Sequence, residues 1–219
     1  MLYIVSTPIG NLGDITFRAL DTLKKVDYIL CEDTRRTKKL LFHFEFGTPL
    51  KSFNAFSETR KTEQVIQDLK NGNEIALVSD SGTPLINDPG YFLVKECIKN
   101  DITVIPIPGV NAAITALSVS GFNTENFHYK GFLPKKQGRL TKAIEEIKDN
   151  EGTIIFYESP HRILKSLKIM NEIIPNHNIV IARELTKKFE EIFRGQISKV
   201  YEKIKDKNIK GEIVVLLMK

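Results

Sequence analysis

The sequence predicts an α/β fold made of two α/β domains, and two observations support this prediction. Short apolar runs rich in β-branched residues alternate with helical patterns along the whole chain, which is typical of mainly parallel sheets covered by helices on both faces. The apolar periodicity lapses around residues 121–125 and then resumes. We therefore predict an N-terminal domain over residues 1–120 and a C-terminal domain over residues 121–219.

The elements of the N-terminal domain follow from apolar spacing and from turn residues. Phe17, Leu20, Leu23 and Val26 recur every three residues, as on the apolar face of a helix. Asn71-Gly72-Asn73 ends another helix. The predicted strands are residues 2–5, 28–31, 74–79 and 103–107, and the predicted helices are residues 17–26, 59–70, 92–99 and 112–120.

The same alternation continues in the C-terminal domain. Ile163, Leu164, Leu167 and Met170 have the spacing of one helix face. Further helices are predicted at residues 139–147 and in the lysine-rich segment 199–210. The predicted strands are residues 127–132, 153–157, 179–182, 189–194 and 213–218.

The formal net charge of +5 is unevenly distributed. Up to Thr115 the chain carries 13 basic and 14 acidic residues, and beyond it 19 basic and 13 acidic residues. Charge alone therefore favours the second half for contact with a polyanion such as RNA. The alternative is that lysine-rich segments such as residues 199–210 are ordinary solvated helix faces.

Composition argues against several classes of protein. Cys31 and Cys97 lie far apart without a C-x-x-C spacing, so we expect free thiols and neither a zinc ribbon nor a redox dithiol. No His, Cys or Asp cluster has metal-ligand spacing, which predicts no required metal. The apolar runs at residues 2–5 and 213–218 are too short for a signal peptide or a bilayer span. We expect an unexported, cytoplasmic protein that does not contact a membrane.

Four loops that follow predicted strands are distinctive: three combine glycine, proline and small polar residues, and the loop at residues 32–36 is acidic and basic. They are residues 6–14, 32–36, 79–90 and 106–113. Glycine lets a main chain approach a ligand closely and proline fixes its path, and ligands of open α/β sheets bind beyond the carboxyl ends of the strands. Such loops suit recognition of a nucleoside or an amino acid. Neither G-x-G-x-x-G nor G-x-x-x-x-G-K-[ST] occurs, which argues against the usual dinucleotide and nucleoside-triphosphate sites. The alternative is that these residues only make turns.

Five strings make the interpretation specific. They are TPIGNLGD at residues 7–14, CEDTR at 31–35, VSDSGTPLINDPG at 78–90, FYESPHR at 156–162 and ARELTK at 182–187. In this order, over essentially all 219 residues, the chain resembles the bacterial small-subunit ribosomal RNA cytidine 2′-O-methyltransferases of the tetrapyrrole-methylase superfamily.

The resemblance implies a homodimer that holds S-adenosylmethionine in a cleft between its two α/β domains. The acceptor it implies is a cytidine in the decoding region of 16S ribosomal RNA, met as naked RNA or as the small ribosomal subunit. The cofactor-binding residues it implies are Pro8, Ile9, Asp80, Gly82, Thr83, Asn111, Ala112, Ala113, Tyr157, Ala182 and Glu184.

The chain departs from the family pattern in two places. Many members have a histidine-rich stretch ending in Asn-Glu where this chain has residues 54–58, NAFSE, so no histidine role transfers there. Many also continue for dozens of residues past the last strand, whereas this sequence stops at Lys219. If that extension grips RNA, we expect this protein to use other residues.

Methyl transfer needs the ribose oxygen about 3 to 3.5 Å from the methyl carbon and opposite the sulfur. A ribose hydroxyl is a poor nucleophile while it is protonated, so a nearby base or cation that favours its alkoxide form would help. The catalytic candidates are Glu32, Asp33 and Arg35, with Asp88, Glu158 and His161 as further candidate bases. The alternative is structural: Asp33 or Thr34 caps the following helix, and Arg35 pairs with a nearby carboxylate.

Basic side chains are the candidates for RNA binding, since a guanidinium grips two phosphate oxygens at once and stays charged. For Arg36 the alternative is a salt bridge to Glu32 or Asp33, and for the other candidates the alternative is solvated surface. The predicted RNA-binding residues are Arg36, Lys135, Lys136, Arg139, Arg162 and Lys165, with Lys142 beside them.

Two other functions stay open. A methyltransferase of the same superfamily that acts on a tetrapyrrole or a modified histidine would share the fold, and a fold does not choose the acceptor. A noncatalytic RNA-binding factor in ribosome assembly would bind RNA without the cofactor.

Overall fold

The computed structural model describes residues 1–56 and 58–219. The chain forms two compact units, Met1–Asn111 and Ala112–Lys219, called the first and second unit below and described separately. The division that we predicted after residue 120 stays a prediction. The helix Ala112–Ser118, which precedes residue 120, packs against strands of the second unit.

The first unit is a five-stranded parallel sheet with helices on both faces. Its strand order is β3-β2-β4-β1-β5. The elements are β1 Leu2–Val5, α1 Phe17–Lys25, β2 Tyr28–Cys31, α2 Thr34–His43, β3 Leu50–Ser52, α3 Glu58–Lys70, β4 Ile75–Val78, α4 Tyr91–Lys99 and β5 Val104–Ile107, with a short 3-10 helix at Leu12–Asp14.

Both faces of this sheet are buried, which explains why its central strands are apolar at every position. Leu30 and Leu77 pack towards α3 and α4, where they meet Leu93. The opposite face packs against Leu23 of α1 and Leu41 of α2. The prediction of a parallel sheet covered on both sides is confirmed for the first unit.

The second unit contains a mixed five-stranded sheet of order β6-β7-β10-β8-β9. The elements are α5 Ala112–Ser118, β6 Phe127–Phe132, α6 Gln137–Ile147, β7 Thr153–Glu158, α7 Ile163–Ile173, β8 Asn178–Arg183, β9 Glu191–Gln196, α8 Ile197–Ile204 and β10 Ile213–Met218. Its largest apolar cluster joins this sheet to α6, α7 and α8, and α5 packs against β7 and β10.

The expectation of a mainly parallel sheet is wrong for the second unit. Only β6 and β7 run parallel, whereas β7–β10, β10–β8 and β8–β9 are antiparallel pairs. The reason is connectivity, because β8 and β9 are joined by a short loop without a crossover helix, and a short connection only joins antiparallel neighbours.

Most predicted elements are present, with shifts of one to three residues at their ends. The lysine-rich helix ends at Ile204, so residues 205–210 lie beyond it, and strand β9 starts two residues after its predicted position. Strand β3 was not predicted. The expectation of free thiols is confirmed, since Cys31 and Cys97 are both buried and unbridged. Over residues 1–56 and 58–219, no helix has the length and apolar character needed to cross a membrane.

Candidate functional site

The loops after β1, β2, β4 and β5 all emerge from the carboxyl-terminal edge of the first sheet, because these strands are parallel. The loops after β1 and β4 are joined by two main-chain hydrogen bonds. Thr7 N donates to Gly82 O at 2.9 Å, and Gly82 N donates to Thr7 O at 3.0 Å. This ladder-like contact fixes the two loops against each other.

Side-chain hydroxyls extend this connection. Thr7 Oγ1 donates to Ser79 O at 3.2 Å, and Ser79 Oγ donates to Gly82 O at 3.1 Å. Gly82 has φ +85°, a left-handed conformation that glycine adopts without a steric cost. The predicted cofactor residue Gly82 thus has a conformational reason for its identity.

The loop after β5 joins the same group. Ser6 Oγ donates to Thr83 Oγ1 at 3.1 Å, and Thr83 Oγ1 donates to Val110 O at 3.0 Å. A Cβ on Gly109 would lie 2.9 Å from Ser6 Cβ, and a Cβ on Gly82 would lie 3.6 Å from Val110 O. Three loops therefore form one closely packed main-chain cradle, called the loop cradle below.

The structure places most first-unit candidates at this edge. Ile9 is buried and Pro8 is half-buried in the loop after β1. Asp80 connects the loop cradle to the loop after β2: its Oδ1 accepts from Asp33 N at 3.0 Å, and its Oδ2 lies 3.5 Å from Arg36 Nε. The predicted residues of the loops after β1, β2 and β4 are therefore brought together.

Asp33 and Arg35 form a local ion pair at the start of α2. Asp33 Oδ1 accepts from the main-chain N of Arg35 at 2.9 Å and from its Nε at 3.0 Å, and Oδ2 accepts from Nη2 at 2.7 Å. These bonds hold the pKa of Asp33 well below its usual range. The capping alternative for Asp33 is thus confirmed, and the catalytic roles of Asp33 and Arg35 stay predictions.

Acidic side chains collect at the same edge of the sheet. Glu32 is exposed and Asp80 is half-buried. Partial burial of Asp88, with the negative charges of Glu32 and Asp80 nearby, raises the pKa of Asp88 to about 6, and a hydrogen bond from Ser79 opposes this rise. The three carboxylates make this edge locally negative, which favours a cationic ligand.

Two of the second-unit candidates lie on the two strands that flank β10. Tyr157 of β7 and Ala182 of β8 both pair with Val214 of β10, so they share one row of the sheet. The Tyr157 ring makes edge contacts with Tyr129 and Phe132, at centroid distances of 5.4 and 5.7 Å. The side chain of Ala182 is fully buried.

Glu184 has a structural role in the second unit. Its main chain has φ +51°, and its Oε1 accepts from Glu212 N at 2.9 Å and from Lys187 Nζ at 3.0 Å. A Cβ on Gly211 would lie 2.3 Å from Glu184 Cγ, so this carboxylate stem occupies the space above a glycine. The bonds from Glu212 and Lys187 lower the pKa of Glu184 against the opposing effect of burial.

The candidates near residue 111 are consecutive in the chain. Asn111 is the last residue of the first unit, and Ala112 and Ala113 begin α5. Their cofactor contacts stay predictions.

The RNA-binding candidates of the second unit fall into two groups. One group is solvent-exposed and comprises Lys135, Lys136, Arg139 and Lys165. Arg162 differs, because its Nη2 donates to Leu133 O at 3.2 Å and to Pro134 O at 3.0 Å, and its Nε lies 3.5 Å from the buried carboxylate of Glu158. These internal contacts favour a structural role for Arg162 over phosphate binding.

The two remaining candidate bases, Glu158 and His161, differ in how far their side chains are buried. The Glu158 side chain is fully buried and accepts from Ser166 Oγ at 2.6 Å, whereas His161 is exposed. Among residues 1–56 and 58–219, no group of three or more His, Cys, Asp and Glu side chains is arranged to hold a metal ion. Ser57, which belongs to the stretch that departs from the family pattern, lies outside the described residues.

Sequence reasoning missed a basic and aromatic surface on α2. Lys39, Phe42 and His43 line an open groove in the first unit, together with Phe46 beyond the end of the helix. The signal was available: residues 34–43, TRRTKKLLFH, contain four Lys and Arg residues and no acid.

Comparison with known proteins gives consistent results. The model of a family described as Tetrapyrrole (Corrin/Porphyrin) Methylases matches residues 1–201. The chain is 50% identical to the "Ribosomal RNA small subunit methyltransferase I" of Halalkalibacterium halodurans over 216 residues, which cover 99% of this chain and 75% of that protein. It is 45% identical to the protein of the same name in Thermotoga maritima, covering 99% of this chain and 97% of that one.

Solved structures share the fold at low sequence identity. A diphthine synthase superposes with a TM-score of 0.76 at 12% identity, covering 100% of this chain and 90% of that one. A cobalt precorrin-4 methyltransferase from cobalamin biosynthesis superposes with a TM-score of 0.67 at 16% identity, covering 99% and 93%. At these identities the likeness concerns the fold alone.

Proposed function

Since the chain belongs to the family of Tetrapyrrole (Corrin/Porphyrin) Methylases, we propose that it methylates the ribose 2′-hydroxyl of a cytidine in the decoding region of 16S ribosomal RNA. The methyl donor is S-adenosylmethionine. The observation that supports this acceptor is identity of 45–50% over 99% of the chain to proteins named for small-subunit ribosomal RNA methylation.

The loop cradle of the first unit fits the donor chemically. Gly82 and Gly109 let the main chains of three loops meet closely at this edge, and ligands of open α/β sheets bind beyond the carboxyl ends of the strands. S-adenosylmethionine carries positive charge on its sulfonium and amino groups, which the carboxylates of Glu32, Asp80 and Asp88 complement. Asp80, Gly82 and Thr83, with Pro8 and Ile9, would hold it from the first unit.

Tyr157, Ala182 and Glu184 are the second-unit residues in the proposal, with Asn111, Ala112 and Ala113 as further contacts. For Glu184, whose carboxylate already accepts two hydrogen bonds, and for Ala182, whose side chain is buried, contact through the main chain is the proposed form.

The chemical step is an in-line displacement in which the bound donor supplies an activated methyl group. As the ribose 2′-oxygen bonds to the methyl carbon, the bond from that carbon to sulfur breaks and the sulfonium becomes a neutral thioether. Glu32 is the proposed acceptor of the hydroxyl proton, because it is exposed at the carboxyl-terminal edge of the first sheet and a carboxylate can act as a general base. Positioning supplies most of the remaining rate enhancement.

The RNA backbone is proposed to meet exposed basic side chains. Arg35 is 87% exposed and Arg36 is 61% exposed, so both guanidinium groups have donors available for phosphate. Lys135, Lys136, Arg139 and Lys165 supply further positive charge. We also propose that the protein acts as a homodimer in the cytoplasm.

Transfer of labelled methyl from S-adenosylmethionine to small ribosomal subunits that lack the modification tests the proposal. Nuclease digestion and mass spectrometry of the nucleosides should reveal 2′-O-methylcytidine. Donor binding without methyl transfer to RNA would contradict the proposed acceptor, and the same assay with tetrapyrrole and modified-histidine acceptors would then identify the correct one. RNA binding without donor binding would instead indicate a noncatalytic assembly factor.

A further inference from the structure

An open groove in the first unit has features that the methyl-transfer site does not use. It has a volume of about 840 Å³ and is lined by Leu12, Lys39, Phe42, His43, Glu45, Phe46 and Gly47. Phe42 is 84% exposed, so its ring is available to a partner that enters the groove. The surface is called the α2 groove below.

Helix α2 aligns positive charge with this exposed ring. Arg35, Lys39 and Phe42 follow each other at spacings of four and three, so they share one side of the helix. Lys38 and Lys39 are exposed and have no carboxylate within 4 Å in the part of the chain that the structure describes. Ten residues of helix extend about 15 Å. The side of α2 that carries Arg35, Lys39 and Phe42 therefore extends from the candidate site at Asp33 to the groove.

Further positive charge lies next to one of the lining residues. Lys24 of α1 is 5.5 Å from the centroid of the Phe46 ring, a cation–π distance. Glu45 is the acidic residue of the lining and Lys39 its lysine, and Lys24 lies beside the lining residue Phe46. The groove is therefore aromatic with a basic border.

This chemistry favours a nucleic acid over an apolar protein segment. An apolar partner would cover Phe42 but would also remove Lys38 and Lys39 from water without pairing them, which is costly. A single-stranded nucleic acid satisfies both features, because its bases stack on aromatic side chains and its phosphates pair with lysine. The groove volume also lies in the range of small-molecule sites of about 300–1,000 Å³, which accommodates one nucleoside.

We propose that the α2 groove binds an unpaired base of the RNA substrate, at a nucleotide distinct from the one that is methylated. Phe42 stacks on that base, and Lys39, Lys38 and Lys24 hold the adjoining phosphates. The inference deepens the proposed function and rests on RNA being the acceptor. It adds a recognition surface to the first unit, whose overall charge did not favour RNA.

Binding of a fluorescein-labelled single-stranded RNA from the decoding region tests the groove, using fluorescence anisotropy with the full-length protein. Phe42→Leu keeps an apolar side chain but removes the ring, so we expect about tenfold weaker binding. Phe42→Tyr keeps the ring and should bind within about twofold of the wild type. Lys39→Ala should lower the slope of log affinity against log salt by about 0.7.

A matched control separates the groove from charge in general. Lys70, at the exposed end of α3, lies outside the groove lining, and Lys70→Ala should leave both affinity and salt slope unchanged. Equal RNA affinities for the wild type, Phe42→Leu and Lys39→Ala would overturn the groove proposal. Loss of self-association in Phe42→Leu by sedimentation, with unchanged RNA affinity, would overturn it in favour of a second copy.

The donor assay distinguishes this failure from failure of the proposed function. S-adenosylmethionine binding, followed by calorimetry, should be the same in all of these variants, because none of the altered residues belongs to the loop cradle. If the wild type transfers methyl to RNA but the groove variants bind RNA as tightly as the wild type, only the groove proposal is contradicted. Absence of both RNA binding and methyl transfer to RNA in the wild type would contradict both proposals.

Discussion

At the scale of single residues, the carboxyl-terminal edge of the first sheet combines rigidity with negative charge. Asp80 is held by the main chain of Asp33 and by Arg36, whereas Asp88 is partly buried near two other carboxylates. Such groups are stabilised by a cation that binds between them. Their ionisation in the free protein therefore has a measurable effect on stability.

Asp88→Asn should stabilise the free protein at pH 8 and leave it unchanged near pH 3. The native state holds the Asp88 proton up to about pH 6, whereas an unfolded chain releases it near 3.9. This group therefore lowers the free energy of unfolding as the pH rises from about 4 through about 6. Allowing for solvent screening at a half-buried site, we expect a gain of about 1 kcal/mol above pH 7, measured by urea unfolding.

Asp21→Asn is the control for this prediction, since Asp21 is exposed on α1 and its replacement should have the same small effect at every pH. A lower stability of Asp88→Asn at pH 8 would show that the Asp88 carboxylate is better accommodated than its surroundings indicate.

Gly82→Ala should weaken donor binding as well as stability. The left-handed φ of +85° at Gly82 disfavours alanine by about 1 kcal/mol, and the new Cβ would lie 3.4 Å from Ile9 Cγ2 inside the loop cradle. Gly72→Ala is a matched control, because Gly72 has φ +94° with open space around it. Both variants should lose similar stability in thermal unfolding, but calorimetry should show weaker S-adenosylmethionine binding only for Gly82→Ala.

At the scale of elements, one helix end depends on a side chain from another helix. Helix α4 begins after Gly90, which has no side chain to cap it. Instead, Glu58 Oε1 of α3 accepts from Gly90 N at 3.0 Å, Phe92 N at 2.9 Å and Leu93 N at 3.4 Å. A carboxylate at a helix N-terminus satisfies free N–H groups and complements the helix dipole.

Glu58→Ala should lower the free energy of unfolding by about 1–2 kcal/mol, since it removes a charged cap from α4. Glu63→Ala on the same helix is the control, because Glu63 is exposed and its loss should change stability by no more than about 0.5 kcal/mol. Chemical denaturation of both variants measures the difference. Equal stabilities would mean that water replaces the Glu58 carboxylate at little cost.

The elements also show which parts of the fold the sequence predicts and which it does not. Strands Leu2–Val5, Tyr28–Cys31 and Ile213–Met218 were predicted to the residue, because each is a dense apolar run that is followed by a polar residue. Strand β3 is only three residues long and pairs with β2 alone, so it has no periodicity to detect. Antiparallel pairing in the second sheet also escaped prediction, since strand pattern does not report direction.

The candidate site was predictable to a similar degree. The glycine- and proline-containing loops located the carboxyl-terminal edge of the first sheet, because strand order determines which loops lie together. The partners of individual side chains were not predictable. The hydrogen bonds from Arg162 to Leu133 and Pro134, and the one from Glu212 N to Glu184, join residues that are far apart in sequence.

At the scale of the whole molecule, positive charge divides into groups with different roles. Arg139 and Arg162 both belong to the basic second half and were both candidates for RNA binding. Arg139 is exposed, whereas the Arg162 side chain is 20% exposed and pairs with Glu158, whose side chain is fully buried. Net charge therefore overstates the number of basic groups that are available to a polyanion.

Replacing each arginine by alanine should separate these roles. Arg162→Ala leaves the buried Glu158 carboxylate without its cation, so we expect a loss of about 3 kcal/mol in the free energy of unfolding. Arg139→Ala should change stability by no more than about 0.5 kcal/mol but should lower the salt slope of RNA binding by about 0.7–0.9. Urea unfolding and anisotropy at several salt concentrations measure both quantities.

The double replacement Arg162→Met with Glu158→Gln sharpens the argument, because it removes both charges together. If Arg162 acts through Glu158, this variant should regain part of the stability that Arg162→Ala loses, since no unpaired charge remains buried. Its RNA affinity should equal that of the wild type. A fall in RNA affinity at restored stability would instead assign Arg162 to the RNA surface alongside Arg139, and the basic half would then act as one continuous phosphate-binding face.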